Sequence, residues 1–113
     1  MKLLTNRNGS YSTGTEIADA VLHYQLALAR RGDVDIVDIP FVDASGATRR
    51  VELTIGWQVG FAAVTEAGPG DELIEVDTIL GIYDKARSIA VIQARPFSAD
   101  ELEQIRSMDD WEN

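Results

Sequence analysis

The chain is expected to fold as an α+β domain: a mainly antiparallel sheet of four to five strands, an N-terminal helix packed on it, and a short C-terminal helix. Three observations lead there. A segment of helical periodicity with clear end signals lies near the start, β-branched runs separated by turn residues fill the middle, and a second helix-start signal stands near the end. Strands in succession, without strict β-α alternation, favour antiparallel pairing.

The first helix is read over Glu16 to Arg31. Ile17, Ala20, Val21, Tyr24 and Leu28 recur at helical spacing and form one apolar stripe, which Leu22, Leu26 and Ala29 widen. Thr13 and Glu16 have the spacing of a capping box, with the hydroxyl at the helix start and the carboxylate reaching back. Arg30 and Arg31 in the last turn, followed by Gly32, mark the end.

Val34 to Val42 then reads as a strand that is either at an edge or ends near Pro40, which has no amide to donate. Asp43 to Ala47 is turn chemistry. From Thr48 to Ile55, apolar Val51, Leu53 and Ile55 alternate with polar neighbours, as in a strand with one wet face. The two segments form a hairpin. A third strand is expected from Gln58 to Glu66, with Gly60 as a bulge or close approach. Ala67 to Asp71 breaks the chain. Beyond it, Glu72 to Tyr83 and Ser88 to Ala94 are read as strands on their β-branched content, against a competing helix over Thr78 to Arg87. Ser98 and Glu101 form a second capping box, with Phe97 placed to staple to Leu102. Residues 1–113 make one domain, and 107–113 an acidic tail.

Composition excludes several classes of function. With no cysteine there is no disulfide, thiol nucleophile or thiolate zinc site, and with one histidine no two-histidine metal site within the chain. No cofactor or metal is expected. The formal charge is −9, and the basic residues occur singly or in pairs, so the basic stripe that phosphate backbones require is missing. Neither nucleic acid nor membrane is expected as a partner. No signal-peptide core or bilayer-length apolar run is visible, and the expected location is cytoplasmic.

Candidate sites are few. His23 has a side chain suited to acid-base work, with Asp19 one turn earlier as an orienting or merely pairing group. Asp33, Asp35 and Asp38 lie in a strand pattern that splits them between two faces, which suits a solvated edge better than a cation loop. Asn8 to Thr15 offers hydroxyls and amides before a helix, but lacks the lysine of a nucleotide loop. Trp57 and Phe61 stand among glycines and, with Tyr83 and His23, are candidates to line a small-molecule pocket between the first helix and the sheet. Asp109, Asp110, Trp111 and Glu112 are candidates to dock a partner.

These features fit an interaction protein best: a small acidic domain that self-associates as a homodimer or binds a basic protein, as in an immunity- or antitoxin-like accessory role. The alternatives are a small-molecule binder using that pocket, and an enzyme with His23 or a carboxylate as general base. Catalysis is disfavoured because no convergent set of polar residues is visible.

Overall fold

The computed structural model describes residues 1–67 and 71–94, the last five of these by backbone alone. The elements run β1 (Lys2–Asn6), β2 (Gly9–Thr13), α1 (Thr15–Arg31), β3 (Val34–Val42), β4 (Thr48–Gly56), β5 (Ala62–Thr65) and α2 (Val76–Ala94). The strands form one antiparallel sheet in the order β4-β3-β2-β1-β5. The fold is therefore α+β, as the order of sequence signals implies.

The N-terminal hairpin is absent from the sequence reading. It closes around Arg7 and Asn8, where the Asn6 side-chain oxygen accepts the amides of Asn8 (2.8 Å) and Gly9 (3.0 Å). β1 pairs in register with β2 through Leu4↔Tyr11, and with β5 through Leu4↔Ala63. This gives the sheet its core-facing row on that side. β2 meets β3 at a single pair, Ser12↔Val42. Pro40 thus lies where β3 is laddered to β4 alone, and the strand continues through it.

The β3–β4 hairpin follows the expected alternation. Val37↔Leu53 and Asp35↔Ile55 share the face toward α1, while Ile36↔Thr54 and Asp38↔Glu52 share the other. In its turn, Asp43 accepts the amides of Ser45 and Ala47, and Gly46 takes φ 86°, which a side chain would disfavour.

α1 buries Ile17, Ala18, Ala20, Val21, Tyr24 and Leu28 against the sheet. Its end is as read: Gly32 is left-handed at φ 70°, and the amides of Gly32 and Asp33 close onto Ala29 and Leu28. Its start differs. Gly14 occupies the N-cap position and no side chain of the expected capping box bonds there. The buried Thr13 hydroxyl instead donates to the Pro40 carbonyl at 2.7 Å, tying β2 to β3 where the ladder is sparse.

Two strand expectations are corrected. Gln58 to Phe61 is not part of the strand: Gln58 lies in a turn, Val59 makes a lone bridge with Gly56, and Gly60 and Phe61 are irregular, so β5 is only four residues long. Glu72 to Tyr83 and Ser88 to Ala94 are not strands: they lie in a short irregular approach and in the single helix α2. Ile79, Ile82 and Ala86 are buried and Ile89 packs beside them, a helical spacing that lets α2 lie along α1. Packing one stripe outweighs the modest helix penalty of β-branched residues. Gly81 is exposed with open space about it, so it loosens the helix without breaking it. The expected helix after Ser98 and the tail 107–113 lie outside the described residues. Among those described, no helix is long and apolar enough to cross a membrane.

Candidate functional site

Four polar arrangements and one apolar patch stand out. The first is at the start of α1, where the four leading amides lack helical partners. Glu72, distant in sequence, supplies the missing cap: its carboxylate accepts the Thr15 amide at 3.2 Å and the Thr15 hydroxyl at 2.6 Å, and it binds the N-terminal ammonium of Met1. These donors, the ammonium foremost, hold the Glu72 carboxyl down to about 2. The segment Asn8 to Thr15, weighed as an anion cradle, is mostly β2, and an internal carboxylate already takes the Thr15 amide at the helix terminus beside it.

The second joins α1, β3 and α2. The Tyr24 hydroxyl donates to Asp35 at 2.6 Å, and the Lys85 ammonium lies 3.7 Å from the same carboxylate. Burial, then the bond to Asp35, pushes the Tyr24 phenol well above its ordinary range. The phenol's donation in turn lowers Asp35. The third centres on Arg50 of β4. Its guanidinium donates to Asp38 at 2.7 Å and to both oxygens of Glu75 at 2.9 and 3.0 Å, and Glu75 also accepts from Thr78. Asp38 and then Glu75 raise Arg50 further, while Thr78 and then Arg50 lower Glu75. Asp33, Asp35 and Asp38 therefore serve separate partners, Arg31, Tyr24 with Lys85, and Arg50. Among the described residues there is no acidic or histidine cluster that could hold a metal ion.

The fourth was not singled out in the sequence. Gln25 of α1 accepts the Gly56 amide at 2.7 Å and donates to the carbonyls of Gly56 (2.9 Å) and Val59. It clasps the turn that carries Trp57. Gly56 makes that turn possible: at φ 125° it packs so tightly that a Cβ would lie 2.3 Å from the Asp33 carbonyl oxygen. The Trp57 amide bonds the same oxygen at 2.9 Å. The only sequence signal for Gln25 is a neutral polar residue flanked by Tyr24 and the apolar run Leu26 to Ala29.

The predicted pocket residues occupy two places. His23 and Tyr83 face each other between α1 and α2, with ring centroids 5.4 Å apart. Asp19, expected beside His23, instead pairs with Lys2 at 2.6 Å. Trp57 and Phe61 flank the turn held by Gln25, which is two residues from His23 and so about 160° around the helix from it. Phe61 packs at the margin of the core and Trp57 points more than half of itself to solvent. A hollow of about 350 Å³ lies between this turn and the N-terminal hairpin, lined by Asn6, Arg7, Asn8, Gln58, Val59 and Gly60. A shallower cleft of about 220 Å³ separates β3 from α2. None of the four predicted pocket residues lines either hollow. Asp109, Asp110, Trp111 and Glu112 lie outside the described residues.

The apolar patch is at the end of the β3–β4 hairpin. Val34 and Ile36, on the face turned from α1, are 58% and 56% exposed, and Trp57, opposite Asp33 at the same end of the hairpin, is 52% exposed. Antiparallel sheets commonly wet one face, but with polar side chains. Exposed Asp38, paired with Arg50, and Glu52 lie further along the same face. Compared with family models, curated proteins and solved structures, the chain matches none, so its function must be read from these residues alone.

Proposed function

We propose that the chain is a protein-binding module that works by contact, and that the end of the β3–β4 hairpin is its contact surface. The observation carrying this reading is that Val34, Ile36 and Trp57, all at the open end of this hairpin, are each more than half exposed, with the acidic Asp38 and Glu52 further along the outer face. Interface centres favour aromatic and apolar groups, with charges at the margin. The partner that suits this surface has an apolar centre and a basic edge, in keeping with the chain's charge of −9. The tail residues Asp109 to Glu112 would extend the same acidic attraction.

The test compares proteins captured from the native host by the wild-type chain and by the double variant Trp57→Ala, Ile36→Ser. Both positions are exposed, so the variant should keep its melting temperature. A basic protein recovered by the wild type and lost with the variant supports the reading. Equal recovery by both would remove this surface from consideration, and loss only on deleting residues 109–113 would move the contact to the tail.

A further inference from the structure

We infer that the outer edge of β4 pairs with the β4 of a second copy of this chain, about a two-fold axis at Val51. The inference rests on the contact-by-binding reading above but uses a different surface. β4 ends the sheet, and no backbone hydrogen bond among the described residues occupies its outer edge over residues 48–55. Such an edge offers a row of unpaired donors and acceptors. The edge is straight and long: β4 has no proline or lysine, its nine pairs with β3 run without a bulge, and its charges, Arg49, Arg50 and Glu52, are of both signs and can be matched by a second copy. The opposite edge, β5, is protected by being only four residues long.

The register follows from charge. In a face-matched antiparallel pair of copies, the axis must pass through a residue, because an axis between residues would set opposite faces together. An axis at Arg49 or Arg50 places like guanidinium groups opposite each other, and an axis at Glu52 does the same with carboxylates. One at Leu53 sets Glu52 against Thr54 and gains no ion pair. An axis at Val51 sets Arg50 against Glu52 twice, Arg49 against Leu53, and Thr48 against Thr54. Glu52 is an exposed carboxylate that a cation would suit. It faces Asp38 directly across the β3–β4 ladder, and no basic group among the described residues bonds it. The partner's Arg50, whose guanidinium also serves Asp38 and Glu75 of its own chain, would lie beside it. Val51, core-facing but only partly buried, would meet its own symmetry mate.

Native mass spectrometry and light scattering on the full chain test this. The wild type is expected at twice 12.4 kDa. Glu52→Arg sets arginines against each other at both pairs, and Arg50→Glu sets glutamates against each other, so each variant alone is expected as a monomer. Their equimolar mixture restores opposite charges at both pairs and is expected to give only the mixed dimer, identifiable by mass. Arg50→Glu also breaks the bonds to Asp38 and Glu75 of its own chain, so the melting temperatures of both variants report whether the fold survives, and Glu52→Arg, which removes the clash with Asp38, decides the question by itself. A monomeric wild type, or a Glu52→Arg chain that still dimerises, overturns the inference. Capture through Trp57 and Ile36 is read separately and can stand when the edge pairing falls.

Discussion

Replacing Gln25 by alanine should release the turn that presents Trp57. The substitution removes one acceptor and two donations, to Gly56 and Val59. Gly56 is buried, so its amide loses its side-chain partner in a place poor in water. An orphaned buried group costs about 1–3 kcal/mol, and an ordinary hydrogen bond contributes about 0.5–1.5 kcal/mol net. Gln25 is itself only half-buried, so water can enter the gap left by truncation. The low end of each range therefore applies: about 1 kcal/mol for the amide and about 0.5 kcal/mol for each carbonyl, near 2 kcal/mol in all. For a domain of this size that lowers the melting temperature by about 8 °C.

Urea unfolding followed by tryptophan emission measures the loss, in a Trp111→Phe background so that Trp57 alone reports. The native emission of Trp57 should also change, since its turn is no longer clasped. Gln25→Glu sharpens the test: it keeps the acceptor for Gly56 but aims an anion at two carbonyl oxygens, and should cost at least as much as alanine. A loss below about 0.5 kcal/mol with unchanged emission would refute the reasoning, because it is less than one net hydrogen bond.

Gly56→Ala should cost roughly 3 kcal/mol, combining a left-handed φ of 125° with a Cβ 2.3 Å from a backbone oxygen, and is read by the same unfolding curves. In acid, Glu72 is held from its ordinary 4.5 down to about 2, so its contribution is present above about pH 4.5 and is lost as pH falls toward about 2. Glu72→Gln should flatten that part of the stability profile in circular dichroism melts, and a variant with an unchanged acid limb would show that the cap on α1 contributes nothing.

The legible parts of the fold were those whose signals are local. Gly32 after two arginines and the alternation of Val51, Leu53 and Ile55 specify a helix end and a strand face without help from elsewhere. The N-terminal hairpin escaped because its strands are short and polar, and half of its pairing comes from β5, far along the chain. α2 looked extended because valine, isoleucine and threonine favour strands, whereas the spacing of Ile79, Ile82 and Ala86 answers to α1. The capping box failed for a related reason: Glu72 reaches the helix start from another segment, freeing Thr13 for Pro40. Of the candidate site, Trp57 was visible as an aromatic between glycines. Its exposed neighbours Val34 and Ile36 were not, since sequence alone does not say whether a second layer covers that face.

The single pair Ser12↔Val42 bears on the order of folding. Each hairpin on either side of it can close from local contacts within about 1–10 μs, but an isolated two-stranded hairpin is marginal in water. Almost no ladder bonding propagates order from one hairpin to the other. That task falls to α1, which Leu4 approaches from one side and Ile39, Leu53 and Ile55 from the other. The helix between the hairpins in sequence is thus also the element that makes them one cooperative unit, and a variant that weakens its buried stripe is expected to uncouple the two hairpins.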